Sequence, residues 1–231
     1  MNVQILQLLD GAKQARGLTV VIDVFRAFSL ECYLASMDAA ELRPVSSLED
    51  ALAWREKDPT AVLIGERGGA ICAGFDFGNT PYAFKRSSVC GKRVVHSTSA
   101  GTQGVTHAFH ADEIISGSLV NASAIAKYIR EKNPETVSLV CMGLAGEKPA
   151  REDTLCAEYI RSMVLGEPMA DIDEQIASLR HDGGEHFFDP NNQSVFPEPD
   201  FWLCTRRDIF PFVLRVRSDA DGMVMEKIIV E

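Results

Sequence analysis

The chain has little basic charge for its acidity, few histidines, no paired cysteines and no long apolar run. Its 23 Lys and Arg stand against 33 Asp and Glu, a formal net charge of -10. That balance argues against a nucleic-acid partner held by a general basic field, while leaving room for a local basic pocket that takes an anion. The six cysteines, at 32, 72, 90, 141, 156 and 204, include no CxxC pair, which argues against a metal cluster. In a chain of 231 residues a disulfide framework is not expected either, and the cysteines read as reduced, mostly buried thiols. No segment approaches the ~20 apolar residues of a membrane span. The opening MNVQILQLLDGAK has no basic region feeding an apolar run. We therefore expect a cytoplasmic protein with no membrane partner. The five histidines assemble neither an HExxH helix nor a Ser-His-Asp order. His96, beside a hydroxyl-rich loop, is the one placed to reach a pocket. His107, His110, His181 and His186 read as structural residues.

What is present is ordinary globular composition, 46% hydrophobic and 24% charged. Short β-branched runs each lead into a loop and then a helical pattern. LTVVID (18–23), AVLIG (61–65), RVVHS (93–97), EIISGS (113–118) and VSLVCMG (137–143) read as strands. RAFSLECYLASMDAA (26–40) and SLEDALAWREK (47–57) read as helices, the latter with Ser47 as cap and Asp50 at the capping-box distance. NASAIAKYIREK (121–132), closed by Asn133-Pro134, REDTLCAEYIRSMVLG (151–166), ending at Gly166, and a segment near DIDEQIASLR are further helices. In the tail, FWLCT (201–205), FPFVLRV (210–216) and MVMEKIIV (223–230) read as strands around the turn SDADG. Alternating strands and helices predict an α/β fold: three layers, α/β/α, with a mostly parallel or mixed sheet. We expect one domain over 1–231, with two intimately packed lobes as an option, since no low-complexity linker and no short repeat interrupts the chain.

Four loops follow strands and carry polar residues suited to phosphate or metal, and ligands gather beyond the carboxyl ends of strands in open α/β sheets. In VVIDVFRAF, Asp23 ends an apolar run, where its carboxylate can hold a divalent cation. Arg26, three residues on, can grip phosphate with two parallel hydrogen bonds; the plainer alternative is a capping Asp paired with an Arg. GERGGAICAGFDFGNTP (65–81) places Glu66, Asp76 and Asn79 among glycines, Gly68 included, that let backbone N–H groups approach an anion. HSTSAGTQG (96–104) surrounds Gly101 with the hydroxyls of Ser97, Thr98, Ser99 and Thr102, an anion cradle at a helix start or a Ser/Thr-rich cap. It lacks the GxxxxGK[ST] pattern of a P-loop. In GLAGEKPAREDTLCAEYI, Glu152 and Asp153 open a helix, where acidic residues suit the dipole or can point into a pocket as a metal ligand or a base.

The order of these blocks, VVIDVFRA, then GERGG…GFDFGNTP, then STSAGT, then GLAGEKPAREDTLCAEYI, resembles the 2-phosphosulfolactate phosphatase (ComB-like) family over nearly the whole chain. The resemblance implies a Mg2+-dependent phosphatase of α/β/α fold that converts 2-phosphosulfolactate to sulfolactate and phosphate, in the route to coenzyme M. Asp23, Arg26, Glu66, Gly68, Asp76, Asn79, Gly101, Thr102, Glu152 and Asp153 fall on matching positions. Where the family more often shows DVLRATT and a TTNGT-like loop, this chain has DVFRAFS and STSAGT. On this resemblance Asp23, Glu66 and Asp153 are the expected metal ligands, and Arg26 with the backbone of 97–102 holds the phosphoryl oxygens. Glu152 or Asp76 then serves as acid or base. Attack by water and a phosphoaspartate at Asp23 both fit, although the DxDx[TV] signature of haloacid-dehalogenase phosphatases is missing. Other readings are a phosphatase for another small phosphorylated acid, and a non-catalytic module that binds an anionic metabolite. A homodimer is expected from the family and from the commonness of symmetric dimers.

Overall fold

The structure, a computed structural model, describes residues 1–231. In chain order the elements are β1 (Asn2–Gln7), α1 (Leu8–Gln14), β2 (Gly17–Ile22), α2 (Ala27–Ser36), β3 (Glu41–Pro44), α3 (Leu48–Lys57), β4 (Val62–Arg67), β5 (Ala70–Ile71), α4 (Arg86–Val89), β6 (Arg93–Ser97), α5 (Gly101–His107), β7 (Ala111–Gly117), α6 (Ala122–Lys132), β8 (Thr136–Cys141), α7 (Arg151–Leu165), α8 (Ile172–Ser178), α9 (Glu198–Cys204), β9 (Phe212–Asp219) and β10 (Gly222–Ile229). Local signals set most boundaries. Ser47 Oγ accepts from the Asp50 N–H at 3.0 Å and starts α3. Asn133 (φ +46°) and Gly166 (φ +75°) take left-handed conformations and stop α6 and α7. The helix after Asp23 ends at Ser36, earlier than its apolar pattern suggests, because Asp38 turns the chain at φ +61° toward β3.

One tail segment corrects the sequence reading. FWLCT is not a strand but the end of helix α9. Pro199 sits in the first turn, where a missing N–H costs nothing. Phe201 and Cys204, three apart, turn into the core while Trp202 faces out. Helical spacing of buried residues outweighs the β preference of Phe and Trp here. Strands β1 and β3, which the sequence reading did not single out, are also present.

The strands form one ten-stranded mixed sheet in the order β1-β8-β2-β7-β9-β10-β3-β6-β4-β5, with helices on both faces, giving three layers. Within β2, Leu18, Val20 and Ile22 face one core with α6 and α7, and Val21 faces another with α2 and α5. This two-faced burial is why the strand reads as a continuous apolar run. No helix is long and apolar enough to cross a membrane.

The sheet contains two parallel blocks, β1-β8-β2-β7 and β3-β6-β4, separated by the antiparallel β9–β10 hairpin. β10 joins β3 by a single antiparallel pair, Met225 with Leu42, so the blocks run in opposite senses. Parallel order alone therefore does not gather the four loops. A shared core does. Val21 and Val140 of one block and Val62, Ile64 and Val94 of the other pack into one cluster with Ala27, Phe28 and Leu34 of α2 and Val105 of α5. The sheet curls around this helical filling, as accumulated strand twist allows, and the strand ends that carry Asp23 and Ser97 meet across it.

Candidate active site

Asp23 follows the last residue of β2. Its N–H donates to Gly117 O at 3.2 Å, and its Oδ1 accepts the Ala27 N–H at 3.1 Å. The turn that follows contains a cis Phe25–Arg26 peptide. The second carboxylate oxygen of Asp23 faces Gly101, so closely that a Cβ added at Gly101 would lie 2.8 Å from Oδ2. Asp153, in the first turn of α7, reaches the same place. Its Oδ1 accepts from Val24 N–H and its Oδ2 from Gly143 N–H, both at 2.8 Å. It thereby stitches the chain beyond β2 to the chain beyond β8. Its neighbour Glu152 is also buried, and its Oε2 has no hydrogen-bond partner. Asp23, Glu152 and Asp153 share one wall of a cavity of about 510 Å³ closed by Asp182, Gly183, His186 and Phe196.

The electrostatics of this wall disfavour three ionised carboxylates at once. Burial, then the Asp153 and Glu66 charges, pushes Asp23 up to about 8. Burial and Glu152 push Asp153 up to about 8. Burial, with Asp23, Asp182 and Glu185, pushes Glu152 up to about 7. Each carboxylate is desolvated and faces others of its own sign.

Glu66 lies on the other side of Asp23, with both oxygens in use. Oε2 accepts from Gly69 N–H and Oε1 from Ser99 N–H, each at 2.8 Å, so Glu66 ties the glycine-rich loop to the hydroxyl-rich one. No three His, Cys, Asp or Glu side chains form a ready-made metal cage, and the set Asp23, Glu66 and Asp153 is no exception. The hydroxyl loop is also largely committed. Ser97 receives Arg67, whose Nη2 donates to Ser97 Oγ at 2.9 Å. Thr98 and Thr102 cap each other's N–H groups at 3.0 and 3.2 Å. This leaves Gly101 as the close approach to Asp23. Gly101→Ala, which also brings a methyl group to 3.0 Å from Ala27 Cβ, should destabilise the fold by about 1–3 kcal/mol and depress any activity with it. Urea unfolding and turnover measured together test this.

Arg26 is buried beside Asp23, but its Nη1 donates to Asp200 Oδ2 at 2.7 Å and to Val195 O at 2.9 Å. Its guanidinium stands 4.7 Å from the centre of the Phe196 ring. The helix-capping pair weighed for this motif takes a different form: Asp23 does hold the start of α2, while Arg26 pairs with distant Asp200. Asp76 Oδ2 binds Arg55 and the Leu63 N–H, which locks the loop against α3 and β4. Asn79 is buried with its Oδ1 unpartnered, and Gly68, at φ +61°, has open space beside it. His96 is buried against Glu31, with Nδ1 2.9 Å from Oε1, and lines no cavity wall with Asp23.

The sequence reading missed the wall formed by 182–196. His186 stands in it, stacked on Phe187 and Phe196 at 4.2 and 4.6 Å, and burial with nearby Arg26 lowers its pKa. The segment HDGGEHFFDPNNQSVF carries no periodic pattern. Its one readable signal was the run of glycines, aromatics and a histidine in a long connection.

Comparison with known proteins gives a consistent picture. The family model described as 2-phosphosulpholactate phosphatase matches residues 4–219. A probable 2-phosphosulfolactate phosphatase of Caldicellulosiruptor saccharolyticus is 32% identical over 226 residues, covering 90% of this chain and 91% of the relative. Proteins of the same description from Thermotoga maritima and Bacillus subtilis are 34% and 27% identical. They cover 84% and 92% of this chain and 86% and 92% of the relatives.

Proposed function

The chain belongs to the 2-phosphosulfolactate phosphatase family, and from that premise we propose that it hydrolyses the phosphomonoester of a small 2-hydroxy acid, with 2-phosphosulfolactate as substrate and Mg2+ as cofactor. The observation that supports this reading most is the wall of Asp23, Glu152 and Asp153, three buried carboxylates with no basic side chain bonded to any of them. An all-oxygen donor set of this kind suits a hard cation, and the unpartnered Glu152 Oε2 is the kind of orphaned atom that a ligand would satisfy. Mg2+ commonly takes one or two carboxylates together with substrate oxygens and waters, so no closed protein cage is required. Asp23 and Asp153 would hold it. When bound, the ion supplies positive charge that makes a phosphoryl group bindable in an acidic protein and polarises it for attack.

The chain's own residues do the rest. Asp153 fixes the two loop backbones on either side of Asp23. Glu66 holds the Gly69 and Ser99 peptides in place, and Gly101, lacking a Cβ, lets the start of α5 lie against Asp23 Oδ2. Phe196 and the 182–196 wall limit the water in the cavity. Glu152, free at Oε2, is the group placed to move a proton to the leaving alkoxide as water attacks phosphorus.

Phosphate release from a panel of phosphorylated acids, with Mg2+ and with EDTA, tests the activity, and 2-phosphosulfolactate should be the best substrate. Equal release with EDTA would remove the metal from this reading. A second readout needs no turnover. The folded chain keeps protons on Asp23, Glu152 and Asp153 up to pH about 7–8, whereas the unfolded chain releases them near 4. The folded state thus binds more protons between those limits. Stability in EDTA should be greatest near pH 4–5 and should fall as pH rises, by up to about 1.4 kcal/mol per unit for each proton involved. Added Mg2+, which binds the ionised forms, should raise the melting temperature more at pH 8 than at pH 5.5. A melting temperature indifferent to Mg2+ at pH 8 would count against a cation on this wall.

A further inference from the structure

A phosphoryl group in the carboxylate-walled cavity needs hydrogen-bond donors, and the arginines nearby are committed elsewhere. Arg26 donates to Asp200 and to Val195 O and does not line the cavity. Arg151 does line it, but its Nη1 donates to Glu158 at 3.1 Å and its Nη2 to Gln175 at 2.6 Å. His186 is the remaining basic side chain on the cavity surface. It is half-buried, and its surroundings act on it through burial and the charges of Arg26 and Glu185, with no hydrogen bond among them. The Nε2 of His96 is sealed in the core without a partner, whereas the nitrogens of His186 keep accessible surface that a ligand can meet.

The orientation of this ring is fixed by stacking that uses neither nitrogen. Its centroid lies 4.2 Å from that of Phe187, tilted by 36°, and 4.6 Å from that of Phe196, edge-on at 77°. Phe187 is fully buried and packs in turn on Phe25 and Phe201, at 5.0 and 6.1 Å. A side chain held on so rigid a base has little rotamer freedom left to lose when a ligand arrives. Burial and the Arg26 charge also keep the imidazole neutral near pH 7. One nitrogen then carries a hydrogen and the other a lone pair. A neutral N–H can serve a phosphoryl oxygen without being captured by the three carboxylates, as an ammonium or guanidinium would be.

Resting on the phosphatase reading, we propose that His186 touches the substrate: its ring N–H donates to a non-bridging phosphoryl oxygen, the task that the sequence reading gave to Arg26. The carboxylates serve the cation and His186 serves the anion. The stack of Phe187 and Phe196 aims the donor, so a histidine that reads as structural in the sequence becomes part of the reacting site.

Titration of inorganic phosphate into protein labelled with 15N in its histidine rings, in the presence of Mg2+, tests this by NMR without turnover. The His186 ring signals, assigned by their loss in His186→Phe, should shift on saturation, while those of His107 and His110 stay in place. By calorimetry, His186→Phe, which keeps the aromatic stack and loses the donor, should bind phosphate roughly 10- to 100-fold more weakly, as expected for a lost hydrogen bond to a charged group. Its melting temperature should stay close to that of the wild type. His186→Ala should bind as weakly, and added imidazole should recover part of its affinity and of its turnover, which a packing role alone would not allow. Unmoved His186 signals, a His186→Phe affinity within about 3-fold of wild type, under 1 kcal/mol, or no phosphate binding at all would each overturn the assignment. If phosphate shifts the ring but the wild type releases none from any phosphorylated acid, His186 stands as an anion ligand and the phosphatase reading falls. If turnover is present while the ring signals stay still, that reading stands and His186 is structural.

Discussion

Asp23→Asn should abolish most turnover and leave the protein at least as stable. The amide keeps an oxygen to accept the Ala27 N–H, which the native Oδ1 receives at 3.1 Å, so the start of α2 is preserved. What disappears is one charge from a wall where Asp153 and Glu66 already act against it. On the proposed reading, in which Asp23 would help to hold the cation beside the reacting phosphoryl group, its loss should reduce turnover roughly 100- to 10,000-fold. The same loss removes like-charge repulsion between desolvated groups, so the melting temperature in EDTA at pH 8 should rise above that of the wild type. The Mg2+-induced shift should shrink in parallel. Opposite signs for activity and stability separate a functional carboxylate from a merely structural one. Turnover within about 3-fold of wild type, which is under 1 kcal/mol of barrier, would show that the chemistry lies elsewhere.

Much of this arrangement was legible in the sequence because its signals are local. Asp23 stands directly after an unbroken apolar run, and such a run is what a strand buried on both faces requires. Ser47, Asn133 and Gly166 mark helix ends by chemistry confined to one turn. The placement of Glu152 and Asp153 at the start of α7 follows from their position ahead of Leu155, Cys156 and Tyr159 on the buried face. What stayed hidden depends on contacts distant in the chain. The loops meet although their strands belong to blocks of opposite sense, because both blocks pack on α2 and α5, and no residue spacing encodes that. Glu66 looks like a metal ligand in one dimension, and in three its oxygens also tie two loops together by accepting the Gly69 and Ser99 N–H groups. The 182–196 wall has no period to read, since its residues are held by aromatic stacking rather than by a helix or strand face. The resemblance of the ordered blocks conveyed the family without conveying these contacts.

Arg26 is the residue whose role changes most between sequence and structure, and it yields the largest expected effect on stability. A guanidinium beside Asp23 looks free to grip phosphate. Instead it forms a buried pair with Asp200, their side chains 2% and 0% exposed, and lies against Phe196 and Phe187. Asp200 also holds the Tyr82 N–H, so this one carboxylate joins α9, the chain beyond the glycine-rich loop and the turn after Asp23. Asp200→Ala strands a buried cation and should cost about 3–5 kcal/mol. For a chain of this length that lowers the melting temperature by roughly 6–20 °C. Replacing both partners with apolar residues, Arg26→Met with Asp200→Leu, removes the uncompensated charge along with its partner and should recover most of that loss. A loss below about 1 kcal/mol for Asp200→Ala, measured by urea unfolding with and without saturating phosphate, would mean that Arg26 has another counter-ion within reach. The guanidinium would then be free to turn toward a phosphoryl group, as its position in the sequence first suggested.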